Sequence, residues 1–399
     1  MIKSLQIFSR YFAFHPLTFQ FPTQTGDDFA SQRAYSPFRL KLGKEIQMSR
    51  NAIYSLILTV ILSAIPAIAA PCTVQSGQAL IESGKYEKAI NEFTCVINAA
   101  PTAVEGYRGR IEAKVLLARY SDAVRDYQKV TAYVLPVHPD TTETIYAGYE
   151  ARLAASPKDL RALTGRAFAH WWYFDYHAAI AMLNNLVVMR PNDLFPNLFR
   201  GSSRMLSGAT KAKGIADIEK AITIAPANPH VRFIVADAFT YGVPDPQRAF
   251  DEASRALEWG LDTPRVHAIL GNSYNKFGNQ AAAASEINKC IDLSIDDLLP
   301  AAPLAAGTTV DLNFVPDMAY DVPITVAAGE TISISTDGID YWDSIAVLLA
   351  PDGTPVLGSD DDNRYFAEFT YVAPAAGTYH MKVTFFEAVA TGTMHITRN

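Results

Sequence analysis

The sequence is poor in the patterns that mark zinc, redox and common hydrolytic proteins. Cysteine occurs only three times in 399 residues, and no two cysteines form a Cys-x-x-Cys pair. Zinc ribbons and thioredoxin-like sites use that pair, so neither class is indicated. The motifs Gly-x-Ser-x-Gly, His-Glu-x-x-His and the phosphate-binding loop are also missing. We therefore expect no catalytic residues and no cofactor, although a hydrolase site assembled from distant residues stays open.

Basic residues are scarce near the C-terminus. Residues 301–399 hold 13 acidic residues but only three basic ones, Arg364, Lys382 and Arg398. Because phosphate binding needs clustered Lys and Arg, we do not expect nucleic acid as a partner. The acidic surplus suits cation binding or simply solubility.

One apolar run has the parts of a secretory signal. A basic start at Met48 is followed by the run Ala52–Ile65 and by small residues up to Ala70. This pattern predicts a signal peptide over residues 48–70, cleaved near its end, with residues 1–47 as an untranslated or disordered leader. A retained anchor is the alternative, but the run is short for a span of about 20 residues. We expect a secreted, periplasmic or cell-surface protein that contacts a membrane only if the segment is uncleaved.

The next part of the chain repeats itself. Three positions recur 34 residues later in similar form: Tyr86 as Tyr120, Ala89 as Ala123 and Phe93 as Tyr127. The segment His267–Tyr274, followed by Gly278 and several alanines, resembles the tetratricopeptide repeat, in which two helices pack through small residues. The resemblance implies five to six stacked helical hairpins over residues 71–299. Residues 137–157 depart from the repeat pattern and are expected to form a lone helical stretch. Such a solenoid presents an extended surface for a protein or peptide partner.

In that resemblance, the first helix of each hairpin lines the concave groove. The stripe at helical spacing predicts these groove residues: Arg108, Glu112, Thr164, Phe168, Trp171, Trp172, Asn272, Asn275 and Lys276. Aromatic and amide groups together suit an extended peptide. The alternative for Trp171 and Trp172 is that they only fill space between repeats, whereas Phe174 is expected on the packing side.

The first repeat contains two of the three cysteines. Cys72 lies early in its first helix and Cys95 late in its second, so the two come side by side in an antiparallel hairpin. A disulfide there would stabilise the terminal repeat by about 3 kcal/mol. Two buried free thiols are the alternative. Cys290 falls at a small-residue packing position and is expected to be buried.

The helical period stops at a Pro/Ala/Gly-rich linker over residues 300–310. Residues 311–399 then show short alternating runs separated by turns, which predict an antiparallel β-sandwich with apolar residues inside and Thr, Ser and Lys outside. The expected strands are 331–336, 344–349, 367–371, 378–384 and 393–397.

Motifs in this region resemble the bacterial pre-peptidase C-terminal domain. They are Gly-Glu-Thr at 329–331, the Pro-Asp-Gly turn at 351–353, the acidic run at 360–362 and Ala-Pro-Ala-Ala-Gly-Thr-Tyr at 373–379. The resemblance implies a jelly-roll-like sandwich that serves exported proteins as a targeting or accessory binding domain. Glycan or cell-surface binding by the sandwich, with the repeats as a spacer, is the alternative to partner binding in the groove.

Hard oxygen ligands are concentrated in two stretches of the sandwich. The candidate calcium ligands are Asp337, Asp340, Asp343, Asp360, Asp361 and Asp362. Calcium takes six to eight oxygens, so a structural Ca²⁺ site is one interpretation. A solvated acidic loop is the other, and Asp343 is equally compatible with a hydrogen-bonding turn residue.

Overall fold

The computed structural model describes two compact units, Met1–Ala70 and Pro71–Asn399. The described residues are 39–42, 44–47, 72–135, 140–208, 210–338, 343–360, 366–388 and 390–399. In the first unit these residues form an antiparallel hairpin of β1 (Arg39–Leu42) and β2 (Lys44–Gln47). The expected signal segment, residues 48–70, lies outside the described residues. Across the described ranges, no helix combines the length and apolarity needed to cross a membrane.

The second unit begins with a series of helices that pack mainly against their neighbours in sequence. The described helices are α1 (Val74–Glu82), α2 (Tyr86–Ala99), α3 (Val104–Leu116), α4 (Tyr120–Lys129), α5 (Thr141–Ala155), α6 (Leu160–Trp172), α7 (Tyr176–Met189), α8 (Leu194–Leu206), α9 (Lys211–Ile224), α10 (Pro229–Asp237), α11 (Pro246–Glu258), α12 (Pro264–Lys276) and α13 (Gln280–Ser294). Single π-helical turns extend α4 over Val130–Val134 and α10 over Ala238–Gly242.

The helices in the described residues form six pairs and one single helix. The pairs are α1–α2, α3–α4, α6–α7, α8–α9, α10–α11 and α12–α13, and α5 stands alone as predicted. Small residues lie where the second helix of a pair meets the first: Ala89, Ala123, Ala179, Ala249 and Ala283 are completely or almost completely buried. The small alanine side chain lets the two helices of a pair approach closely, as the repeat pattern predicts.

A disulfide closes the first hairpin. Cys72 and Cys95 are bonded, with their Cα atoms 5.9 Å apart, which confirms the predicted pairing. Thr73 caps α1 by accepting the Ser76 N–H at 3.0 Å. The bond and the cap together stabilise the first hairpin of the described helices.

Aromatic rings from successive pairs form the core of the solenoid. Tyr120 packs edge-on against Phe199, with ring centroids 5.0 Å apart, and Phe168 meets the same ring at 5.1 Å. The array curls so far that α4 touches α10, where Ser121 Oγ lies 2.7 Å from His230 Nδ1. Residues more than a hundred positions apart are thereby in contact.

Two β-sheets follow the helices. The strands are β3 (Asp297–Pro300), β4 (Thr308–Phe314), β5 (Met318–Val326), β6 (Thr331–Gly338), β7 (Ser344–Leu349), β8 (Pro355–Asp360), β9 (Glu368–Val372), β10 (Gly377–Phe385) and β11 (Gly392–Arg398). One sheet has the order β3-β5-β10-β7-β8 and the other β4-β11-β6-β9. All of these pairs are antiparallel except β3 with β5. Each of the five predicted strands is confirmed to within two residues.

Helix α13 packs on the outer face of the five-stranded sheet. Its residues Ile287 and Ile291 are completely buried, together with Ile345 and Val347 of β7. The alternate residues of β7 point into the sandwich core, so this strand is buried on both faces. The expectation of a polar outer face is wrong here, because a helix of the solenoid takes the place of water.

A buried histidine joins α12 to α13. His267 is 3% exposed, with Nε2 2.8 Å from Asp262 Oδ1 and Nδ1 2.5 Å from Glu286 Oε2. Burial alone lowers the pKa of His267, but the hydrogen bonds to Glu286 and Asp262 outweigh it and raise the pKa above its usual value. Burial raises the pKa of Glu286, and the contacts with His267 and Lys289 reverse this and lower it. The charged pair therefore stabilises the folded state.

The close approach of β8 to α13 can be tested at Gly358. A Cβ at this position would lie 2.9 Å from the Ile287 side chain and 3.1 Å from the Ala284 backbone. We expect Gly358→Val to lower the free energy of unfolding by about 1–3 kcal/mol, because it forces the helix off the sheet. Gly392→Val is the matched control, since that strand glycine has open space around it. Urea denaturation measures both, and equal midpoints for the two variants would contradict this packing.

The His267 pair makes stability depend on pH. Since the folded pKa is raised, the stabilisation is complete below the unfolded value of about 6.5 and is lost as the pH rises through the folded pKa. We expect the difference in unfolding free energy between the natural chain and His267→Gln to be largest at mildly acidic pH and to shrink at alkaline pH. A difference that stays constant across this range would show that His267 contributes by packing alone.

Candidate functional site

The first stretch of the predicted groove, on α3, is covered by the lone helix α5. The Arg108 guanidinium lies so close to Gly148 that a Cβ added there would overlap it. Glu112 is 3% exposed and accepts hydrogen bonds from Arg152 at 3.1 Å and Arg161 at 2.7 Å. The prediction that Glu112 lines an open groove is therefore wrong, because guanidinium groups from α5 and α6 enclose its carboxylate.

The second stretch, on α6, lies largely in the core. Phe168 is completely buried, and Trp171 is 6% exposed with its indole N–H donated to Ser202 of α8 at 3.0 Å. The prediction that Phe168 lines the groove is wrong, because aromatic rings of neighbouring repeats enclose its side chain. Trp171 lies at the junction between repeats. This agrees with the alternative interpretation, in which Trp171 fills space between repeats.

The remaining residues of that stretch are partly accessible. Thr164 is half-buried, and Trp172 is half-buried with its ring stacked on Tyr127 at a centroid distance of 5.8 Å. Phe174, expected on the packing side, is 74% exposed and has a φ of 61°. It stands in the left-handed turn between α6 and α7, where the corresponding turn between α12 and α13 uses Gly278.

The third stretch, on α12, borders a cleft between consecutive repeats. We call it the amide cleft; its volume is about 260 Å³, and it is lined by Phe239, Thr240, Tyr241, Pro244, Asp245, Pro246, Ala249, Asn272, Ser273, Asn275 and Lys276. The three predicted residues Asn272, Asn275 and Lys276 all lie in this cleft. The structure thus gathers one of the three predicted stretches at a concave surface.

The floor and walls of the amide cleft differ in chemistry. Ala249 and Phe239 are buried and give an apolar floor, whereas Tyr241 is 39% exposed at the rim. Lys276 is exposed and has no hydrogen-bond or ion-pair partner among the described residues. Asn275 donates from Nδ2 to the Gly358 carbonyl at 3.4 Å, so one wall of the cleft is tied to the β-sandwich.

Helical spacing did not predict that Tyr241 and Phe239 line the cleft. Both belong to the π-helical turn Ala238–Gly242, whose wider winding shifts side chains away from the stripe that a regular helix predicts. The sequence does carry a signal at this point, because Gly242-Val-Pro244-Asp-Pro246 breaks the repeat. Such a break marks a place where regular helical spacing no longer predicts which side chains share a face.

The acidic residues expected to bind calcium are only partly described. Three of them lie outside the described residues: Asp340, Asp361 and Asp362. Asp360 ends β8, Asp337 is exposed on β6, and the Asp343 carbonyl accepts the Phe386 N–H at 2.7 Å. In the part of the chain that is described, no three His, Cys, Asp or Glu side chains are placed to hold a metal ion. Calcium binding stays a prediction.

Two histidines of the helical region make local contacts. His170 is buried and stacks on Tyr146 at 4.7 Å, and His230 contacts Ser121. Burial is the main reason that the pKa of each imidazole is lowered. Both rings are consequently neutral near pH 7 and act as packing and hydrogen-bonding groups.

No family model matches this sequence, and no curated protein matches it. Solved structures that are similar include a tetratricopeptide repeat protein from Parabacteroides merdae, at 18% identity over 55% of this chain and 90% of that one, with a TM-score of 0.32. A thermophilic tetratricopeptide protein from Thermus thermophilus is 15% identical over 51% of this chain and 97% of its own, with a TM-score of 0.31. The pre-peptidase C-terminal domain of a Bacillus anthracis collagenase is 18% identical over 26% of this chain and all of its own, with a TM-score of 0.23.

At such identities the likeness concerns the fold alone. The architecture itself is clear from the chain's own geometry, in which paired helices pack through buried alanines and the strands that follow form two facing sheets. The protein is a tetratricopeptide-like helical solenoid followed by a sandwich of largely antiparallel strands.

Proposed function

We propose that this protein is an exported, non-catalytic scaffold that binds an extended segment of a protein or peptide partner in the amide cleft. The observation that carries the proposal is the cleft itself, which joins an exposed aromatic ring, two side-chain amides and a lysine that has no ion-pair partner among the described residues. Solenoids of helical hairpins commonly use such concave surfaces for recognition.

The chemistry of the cleft suits a peptide. Asn272 and Asn275 bring side-chain amides to the wall of the cleft, and an amide group has both hydrogen-bond donors and acceptors, as a peptide backbone does. Tyr241 supplies a flat apolar surface for a side chain, and Lys276 supplies a charge for a carboxylate. Because Asn275 is bonded to Gly358 of the sandwich, the cleft is held in shape before a partner arrives. Preorganisation of this kind lowers the entropic cost of binding.

Export is supported by two features. The signal-like pattern at residues 48–70 is the part that a translocation system would recognise. The Cys72–Cys95 disulfide is the kind of bond that persists in an oxidising compartment. We place the protein in the periplasm, at the cell surface or outside the cell, with the β-sandwich as a targeting or accessory binding domain.

Selection from a random peptide library on the immobilised full chain tests the cleft. We expect the triple change Tyr241→Ala, Asn272→Ala and Lys276→Ala to weaken the selected peptides by about tenfold or more, which corresponds to at least one lost strong contact. The matched control is Phe174→Ala with Lys213→Ala, which removes an exposed ring and an exposed cation elsewhere on the solenoid.

The two variants separate the cleft from the rest of the surface. Affinities that fall in the cleft variant and stay unchanged in the control support the proposal. If the selected peptides bind the cleft variant with the same affinity as the natural chain, the proposal is wrong and the sandwich becomes the candidate binding surface.

A further inference from the structure

A second cavity lies where the curled solenoid meets the sandwich. We call it the junction cavity; its volume is about 370 Å³, and α4, the turn between α11 and α12, the end of α13 and the start of β5 all line it. Sites for small molecules have volumes of about 300–1,000 Å³. This cavity therefore has room for a small molecule but not for a long extended chain.

Contacts between distant parts of the chain fix the walls of the junction cavity. The Tyr133 hydroxyl at the end of α4 donates to Asp317 at the start of β5. Burial, followed by the hydrogen bond to Asp317, raises the pKa of Tyr133, so the phenol keeps the proton that it donates. On α4, the lining residue Ser121 has its Oγ 2.7 Å from His230 Nδ1 of α10. The cavity is thus formed by the fold before a ligand binds.

The lining includes an apolar surface. Val124 of α4, Phe233 of α10 and Leu261 of the α11–α12 turn each expose less than a tenth of their surface, and all three line the cavity. Apolar side chains that are already packed offer a firm surface to a ligand's hydrocarbon part.

Several charged groups of the cavity are already engaged. Asp122 pairs with Arg119 at 2.6 Å, and Asp262 accepts from His267 at 2.8 Å. Their charges are satisfied within the protein, so they offer little to a ligand.

Three charged groups remain available. Arg125 and Lys129 are exposed, one helical turn apart on α4, and neither has a hydrogen-bond or ion-pair partner among the described residues. Asp296 lines the same cavity from the segment between α13 and β3, and its carboxylate likewise has no such partner in the described ranges. One wall of the cavity therefore carries open positive charge and the other open negative charge.

We propose that the junction cavity binds a short peptide of a few residues with both termini free. Arg125 and Lys129 hold the terminal carboxylate, Asp296 holds the terminal ammonium group, and a side chain of the peptide packs over Phe233 and Leu261. A simple anion would use only the α4 wall and a metal cation only the Asp296 wall. A ligand that carries both charges satisfies both walls at once.

Calorimetric titration of the full chain with the tripeptide Ala-Leu-Ala tests this proposal. We expect binding that weakens about tenfold when the peptide is N-acetylated, and about tenfold when it is C-amidated. Arg125→Gln with Lys129→Gln should remove the discrimination against the amidated peptide, and Asp296→Asn the discrimination against the acetylated one. Each variant thus loses sensitivity to the one terminus that its side chain contacts.

Lys211→Gln with Lys213→Gln is the matched control, because these two exposed cations lie outside the cavity and should leave all three affinities unchanged. The proposal is overturned if the tripeptide does not bind, or if its blocked forms bind equally well. It is overturned too if inorganic phosphate or calcium alone binds at this cavity while the tripeptide does not.

Discussion

Helix α13 is packed between its partner helix α12 and the five-stranded sheet, and the rest of the structure depends on this packing. A terminal repeat of a solenoid normally needs a polar outer face, because no further repeat covers it. Here Ile287 and Ile291 are apolar and completely buried, and the outward residues of β7 meet them. The sandwich thereby acts as the cap of the solenoid, and the solenoid covers a sheet face that would otherwise be exposed and apolar.

The junction cavity follows from this contact, whereas the amide cleft lies between consecutive repeats and is joined to the sandwich at one wall. The amide cleft is tied to the sandwich through Asn275 and Gly358, and the junction cavity exists only because β5 and the end of α13 are held near α4. The curl of the array contributes equally, since it brings Ser121 to His230 across the solenoid. Neither cavity belongs to a single repeat, and the junction cavity in particular is made by long-range packing.

Local patterns predicted many of the described elements, but β3, β4, β5 and β8 were not among the predicted strands. The 34-residue recurrence predicted the paired helices, alternation predicted five of the strands, and the hairpin spacing predicted the Cys72–Cys95 bond. Contacts between elements were not predictable in this way. Glu112 and Phe168 have the spacing of groove residues, yet α5 and the aromatic core cover them. The continuous apolar run of β7 was the one available sign that a second layer lies on that sheet.

Calorimetric unfolding of the full chain tests the central claim most directly. If α13 joins the helices and the sandwich in one cooperative structure, residues 72–399 unfold in a single transition whose calorimetric and van't Hoff enthalpies agree. Replacing Ile287 by Ala should then move that whole transition to lower temperature. Two separate transitions, with only one of them shifted by the substitution, would contradict the account.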